Sequence, residues 1–468
     1  LFLLGGNVLM AMFVMRDYVK ARFAPRGNWE KLVKYIALFL TGTEPSSLPE
    51  HSLRFGPAAD LGDPAEWERC RKAAIRNGIR WLENFLVDDG EGGVREGLRH
   101  HITPDGKQQQ LDGVRSDCSG ETAGAFAMYA RLNGSGRHET IAENIRSFLE
   151  NNMVIRKEPY RGMVRWSDSA WHVCYHDDAA RSVIPSLFGA LFMEDERHFD
   201  DICERLDFLV KTTCRDGLAE PRVDIWAMDE EKLRERREKE HGLPSAHYNA
   251  YYSAALLLAY KKCGKPEYLD TARRGLERLM ELYPETRREQ SETEEMCRLV
   301  LPLAALYDAT REEKHREFLY RVTGDLEKLR HPFGGYREWD TGYKASCSRE
   351  STGECSLLAE NGDPVTDSLY SSNWLPTGFA YAFYATGDEM FRGLWKNIAD
   401  YYIRTQMLSE DPMLNGAWCR AFDMDLGEAY GCPHDVGWAA NCCETGWTVA
   451  EILMGLMLPE ILAEAPKA

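Results

Sequence analysis

The stretch DCSGETAGAFAMYARLNGSGRHETIAENIRSFLENN, residues 117–152, holds two helices of opposite character. Over 119–132 almost every position is small or apolar, with Glu121 and Arg131 the only charges. Over 137–152 charges dominate, and Ile141, Ile145, Phe148 and Leu149 recur at helical spacing as one apolar stripe. Between them lies Asn133-Gly134, a pairing suited to a left-handed C-cap before an antiparallel partner. A helix of small residues can be enclosed on all sides because its backbone packs closely. A helix with one apolar stripe must keep its other face in water.

The same alternation continues in both directions. Helical periodicity predicts segments at 65–87, 119–132, 137–152, 177–193, 197–213, 246–262, 266–283, 292–309, 312–328, 367–386, 388–408 and 443–458. Those beginning near 119, 177, 246, 292, 367 and 443 are rich in Ala, Gly, Ser and Leu; their partners are charged. Cys263-Gly264-Lys265 and Thr386-Gly387-Asp388 repeat the turn at Gly134. An inner ring of small-residue helices inside an outer charged ring predicts a mainly α fold, an (α/α)6 toroid of six helical hairpins. A solenoid would need a fixed repeat period, which is absent. Long connections at 153–176, 331–366 and 409–442 lead into inner helices and would build one functional face. The charge run Asp229 to His241 reads as a solvated helical excursion.

The toroid is expected to occupy 65–468, after a linker at 46–64. Residues 1–45 read as a short α/β segment: a buried strand over Val8 to Met15 and an amphipathic helix over Asn28 to Leu40. They are similar to the closing strand and helix of an amidotransferase-like α/β domain, a resemblance that implies a preceding domain in a longer chain. The opening LFLLGGNVLMAMFVM lacks a basic n-region and a cleavage site and is too short to span a bilayer.

Of 468 residues, 57 are basic and 75 acidic, a formal charge of −18. That balance argues against nucleic acid or an anionic membrane as partner. Thirteen cysteines, an odd number scattered through helices, suit reduced thiols and a cytoplasmic protein better than a disulfide framework.

Polar residues opening the small-residue helices should converge on the cavity. They include Asp117 and Glu121; Tyr175, His176, Asp177, Asp178 and Arg181; His247, Tyr248 and Asn249; Glu292, Glu294, Glu295 and Arg298; Asp367, Tyr370 and Asn373; Asp435, Trp438 and Glu444. Helix capping accounts for many of them. It does not account for Tyr-His-Asp-Asp followed by an Arg one turn later. Trp166, Trp171, Trp339, Trp374, Trp418, Trp438 and Trp447 fall in the same loops and first turns, together with Tyr175. Sugar rings stack on such faces, and their hydroxyls need carboxylates and Arg.

At this point the chain resembles the six-hairpin glycosidases. DDAARSVIPSLFGALF (177–192) is similar to the catalytic helix start of the unsaturated glucuronyl and rhamnogalacturonyl hydrolases, with Asp178 and Pro185 in the matching places. DCSGETAGAFAMYARLNG (117–134) is similar to their preceding inner helix, which maps a functional Asp onto Asp117. The resemblance implies a glycoside hydrolase acting on an oligosaccharide, with Asp178 as general acid, Asp117 as partner carboxylate and Asp177 raising the pKa of its neighbour. Tyr175, His176, Arg181, His247, Trp339, Asp367 and Trp438 are the expected substrate contacts, and no cofactor is required.

A second resemblance is to the zinc-dependent β-L-arabinofuranosidases. It rests on Glu295-Met296-Cys297 and Cys442-Cys443, and implies that Glu295, Cys297, Cys442 and Cys443 hold zinc. These residues belong to inner helices four and six, which are not neighbours in a ring. Sugar 2-epimerases use a similar barrel with paired histidines, for which His176, His247 and His434 stand in place. A non-catalytic carbohydrate-binding toroid would keep the aromatics alone.

Overall fold

The computed structural model describes residues 1–12, 26–46, 53–103, 107–341, 357, 360–430 and 442–464. Helix α1 (Arg26–Thr41) stands before the ring. The ring begins with an outer helix, α2 (Pro64–Glu83), which Asp63 caps through the amide of Ala65. The first hairpin is α3 (Ser116–Asn133) with α4 (Gly136–Phe148). The inner member of the second is broken into α5 (His176–Arg181) and α6 (Ile184–Phe192), followed by outer α7 (Phe199–Lys211). The charged run forms α8 (Glu230–Glu238), of which only Leu233 is buried.

The third hairpin is α9 (Ala246–Cys263) with α10 (Pro266–Leu282), the fourth α11 (Glu292–Thr310) with α12 (Glu313–Glu327). The fifth is α13 (Leu375–Thr386) with α14 (Glu389–Thr405). A wide turn at Thr445–Ala450 leads into α15 (Glu451–Glu464), which packs on α3 and α13 and takes α2 as its outer partner. The ring therefore closes: α3, α5–α6, α9, α11, α13 and α15 each touch the next.

Composition explains the layers. From Ala246 to Ala259 only Tyr248 of α9 is not fully buried, whereas α10 buries one stripe, Tyr268, Thr271, Ala272, Gly275, Leu276 and Leu279. Gly134 and Gly264 end α3 and α9 at φ 64° and 69°, as the turn residues require; α11 makes the same turn with Arg311 at φ 55°. The break between α5 and α6 falls just before Pro185, whose ring and missing N–H oppose an unbroken helix. Thr445–Glu464 is long and apolar enough to cross a membrane, yet 78% of its apolar window is buried inside the protein. It is a core helix.

Short strands dress the mouth. Arg95–Ile102 pairs with Gln108–Val114 and with Cys443–Glu444, and Val173–Tyr175 pairs with Arg222–Asp224. Val365–Asp367 pairs with Ala421–Asp423.

The N-terminal expectation needs correction. Among the described residues the strand covers Val8–Met10, pairs with Phe2–Leu4, and is exposed, Val8 by 49%; positions 13–15 of the expected strand lie outside the described residues. No described element covers either of its faces, so it is not a buried strand. The ten described cysteines, from Cys70 to Cys443, are all free thiols.

Candidate active site

Arg181, on α5, is the hub of the lumen and has no solvent exposure. Its Nη2 donates to Asp117 Oδ2 at 2.7 Å and to Asp178 Oδ1 at 3.1 Å. Nε lies 3.4 Å from Glu121 Oε1, Nη1 lies 3.8 Å from Glu451 Oε1, and the Trp447 ring covers the guanidinium at 3.6 Å. Arg115, the N-cap residue of α3, completes the frame from above. Its Nε donates to Asp117 at 3.1 Å and its Nη1 to Glu96 at 2.8 Å. The guanidinium sits between the rings of Trp166 and Trp447, 5.0 and 5.1 Å from their centroids.

These contacts set the two aspartates apart. Burial alone would raise the pKa of Asp117, but Arg115, Arg181 and the indole N–H of Trp447 outweigh it and hold the carboxyl below its usual range. Asp178 goes the other way. Burial first, then the charges of Asp117 and Asp177, push it well above the ordinary aspartate value against Arg115 and Arg181. One carboxylate is saturated with donors; its neighbour is shifted toward the protonated form. Oxygens of the two share one nitrogen at 2.7 and 3.1 Å, so they are closer than the roughly 6.5–9.5 Å that a pair needs to seat a water between them.

A second chain of groups crosses from α5 to α11. His247 Nδ1 lies 2.5 Å from Glu294 Oε1, and its Nε2 lies 3.7 Å from Asp177 Oδ2. Burial and the nearby Arg298 push the imidazole down to about 3, so it is neutral. Burial raises Glu294 to about 7 against the pull of Arg298, whose Nε is 3.2 Å away. Asp177 Oδ1 is buried with no hydrogen-bond partner among the described residues.

No protein family and no curated protein matches the sequence. Solved structures do match. A D-mannose isomerase is 14% identical, with a TM-score of 0.57 over 85% of this chain and 97% of its own. An unsaturated glucuronyl hydrolase from a Bacillus species is 14% identical, with a TM-score of 0.56 over 83% and 96%. A cellobiose 2-epimerase from Bacillus thermoamylovorans is 13% identical, with a TM-score of 0.56 over 84% and 98%. The chain has their six-hairpin toroid. At such identities the likeness shows the fold and leaves the chemistry to the site.

Within the toroid, Asp117, Asp177, Asp178, Arg181 and His247 come together around Trp447 and Tyr370, whose rings meet edge to face at 5.1 Å. Tyr175 reaches the mouth, its ring 5.4 Å from Trp166 and its hydroxyl accepting from Arg222 at 3.2 Å. Trp339 is 36% exposed, and its carbonyl receives the amides of Glu292 and Thr293 at the start of α11. His176 is not a substrate contact. Its Nε2 lies 2.8 Å from Thr212 Oγ1, behind the outer helix α7, and its ring meets Tyr252. Asp367 is no free contact either. It takes Arg420 Nη2 at 3.0 Å and the amides of Leu369 and Tyr370, as an Asx cap would. Trp374 and Trp418 are core residues, with indoles donating to Glu451 and to the Tyr402 carbonyl. Trp438, with His434 and Asp435, lies outside the described residues.

The zinc quartet does not assemble. Glu295 caps α9, taking Ser245 Oγ at 3.2 Å and the amides of Ala246 and His247 at 2.8 and 3.0 Å. Cys443 pairs in a strand with Leu98. Among the described residues, three or more ligand atoms gather within 4.8 Å only at Glu277, Glu312 and His315 on the outer helices. There Lys314 and Arg273 already neutralise Glu277. Arg115, Glu96 and Glu451 escaped the sequence reading, because nothing in one sequence marks an Arg just before a helix or a Glu within it as facing the lumen.

Proposed function

We propose that this chain is a carbohydrate-processing enzyme of the glycoside hydrolase type, with Asp178 as its general acid. The observation that carries the reading is the unequal sharing of Arg181: Asp117 takes its Nη2 at 2.7 Å together with Arg115 and the Trp447 indole, while the less enclosed Asp178 takes it at 3.1 Å, where burial and two neighbouring carboxylates raise its pKa. The neighbours titled unsaturated glucuronyl hydrolase support it, since they share the toroid and act on sugars.

In this reading Asp178 gives its proton to the bridging oxygen of the substrate, or to the double bond of an unsaturated uronide. In the first case water attacks the anomeric carbon and the leaving group departs with the proton; in the second water adds to the double-bond carbon that carries the ring oxygen, and the hemiketal so formed opens and releases the leaving group as an alcohol. The water's own proton passes to Asp177, whose Oδ1 has no hydrogen-bond partner among the described residues. Asp117 differs here from its expected role as partner carboxylate. With four donors on it, it is too well satisfied to act as base, and its work is to fix Arg115 and Arg181. Trp166 and Tyr175, half-buried at the mouth, supply apolar surface for the sugar ring.

One observation favours a second reading. The neutral His247, set between Glu294 and Asp177, is a base in position to move a proton beside a carbonyl, as a sugar epimerase or isomerase requires. Two incubations separate the readings. Hydrolysis puts one oxygen from 18O-labelled water into the released sugar, whereas epimerisation exchanges a carbon-bound hydrogen with deuterated water and breaks no glycosidic bond. Asp178→Asn should lower kcat/KM by about 10²–10⁴ in the first case. Full turnover by Asp178→Asn rules out the general-acid assignment.

A further inference from the structure

We infer that the exposed indoles of Trp171 and Trp226 form an outlying platform for the distal sugar rings of an oligosaccharide whose reacting ring lies at Asp178. The inference rests on the sugar-processing reading of that site. Trp171 is 39% and Trp226 70% exposed, far outside the core range for the most apolar-rich side chain in proteins. Their ring centroids are 5.2 Å apart and the planes meet at 79°. Arg165 stacks over Trp171 at 5.2 Å, which leaves the larger Trp226 surface open. Such an indole offers a flat apolar face to the C–H side of a sugar ring, at little entropic cost because it has only two torsions to fix.

The platform is held rigidly and aimed along one element. Trp171 and Trp226 flank the outer end of the strand pair Val173–Tyr175 and Arg222–Asp224, where the amide of Ile225 donates to the His172 carbonyl at 2.9 Å. The inner end of the same pair is Tyr175, one residue from α5 and three from Asp178. Trp171 lies in the turn closed by the Val173 amide on the Ala170 carbonyl at 3.2 Å, and the strand Val173–Tyr175 that follows spans roughly 7 Å, about the length of one sugar ring. Trp166 continues the path inward: it receives the amide of Ser116 on its carbonyl at 3.0 Å and carries Arg115 on its ring. Two ring pairs, Trp166 with Tyr175 and Trp171 with Trp226, therefore stand at the two ends of one strand pair. A protein partner would be an alternative occupant, but the continuity with the lumen favours the substrate's own chain.

The test compares two lengths of ligand in an Asp178→Asn background, so that binding is read without turnover. The probes are cellobiose with cellotetraose, and a heparin disaccharide with its tetrasaccharide, both with unsaturated ends. Trp226→Ala should weaken the tetrasaccharide of the accepted series by about tenfold, the scale of one aromatic contact, and leave the disaccharide unchanged. Trp226→Phe should restore most of the loss. Equal loss for both lengths, or no loss for either, overturns the platform, and the second is what a protein-binding surface would give. If the Asp178→Asn parent binds neither series at either length, the sugar-processing reading itself falls, and the platform with it.

Discussion

Asp117 and Asp178 are the same residue type on neighbouring inner helices, and their surroundings make opposite groups of them. Asp117 receives Arg115, Arg181 and the Trp447 indole; Asp178 shares only the second hydrogen bond of Arg181 and feels two like charges. Sequence pattern placed both at helix starts, because small-residue helices expose their first turns to one mouth. It could not divide the roles, since the division depends on Arg115 folding over the α3 N-terminus between two indoles. The consequence is measurable. Asp117→Asn leaves two buried guanidinium groups short of a counter-charge and should cost about 3–5 kcal/mol of stability, with Asp178 ionising more readily. Urea denaturation reads the first effect. Turnover by the same variant should decline at a lower pH than in the parent, because activity needs the Asp178 proton. A variant as stable as the parent would show that Asp117 is not the anchor of this frame.

Small residues on the inner helices do more than fill space. A Cβ added to Gly120 of α3 would stand 2.2 Å from the carbonyl oxygen of Ser182, and one on Gly124 would stand 2.1 Å from Pro185 Cβ. The α3 backbone therefore lies directly on the α5–α6 break, and this contact brings Asp117 and Asp178 to the same arginine. Here the fold was legible. Alternating small and charged helices gave the ring, and the glycine turns gave the hairpins. The finer elements were not legible: Glu444 and Asp367 end short strands and Trp447 sits on a wide turn before α15, because strand pairings at the mouth reshape the helix starts. His176 was misplaced for a related reason. Its neighbours in sequence face the lumen, but one step of 100° around α5 turns its ring onto Thr212. Gly120→Ala should cost about 1–3 kcal/mol by overpacking and, by shifting α3 against α5, reduce kcat more than KM. Thermal denaturation with steady-state kinetics checks this; loss of stability with unchanged kcat would mean that the helix contact does not position the pair.

Across the whole molecule, acid is stored in the centre of the ring as well as on the surface. Burial raises Glu121, Glu294 and Glu295 to about 7 and Glu338 to about 8, with Arg181 and Arg298 opposing the first two, and Glu294 and Asp367 adding to the last two. In the unfolded chain each of these would titrate near about 4.3. Above that pH the unfolded state releases protons that the folded state keeps, so folding stability falls as pH rises from about 4.5 through 8. Outer-ring carboxylates act in the opposite sense. Burial disfavours the charged form of Glu277, but Lys314, His315 and Arg273 override it and hold the group down to about 2, and Asp195 is lowered likewise by Arg197 and Arg146. Their contribution is intact above about pH 4 and is lost as pH falls through the folded values. The two populations together place maximum stability in mild acid, near about pH 5, rather than at neutrality. A melting series from pH 3 to 8 should rise to that maximum and then lose several degrees by pH 8. Glu338→Gln, which removes a carboxyl raised to about 8, should flatten the alkaline limb between pH 6 and 8. A melting temperature that climbs steadily to pH 8 would show that these carboxyls are ionised in the folded protein, and would remove the protonated interior on which the general-acid role of Asp178 depends.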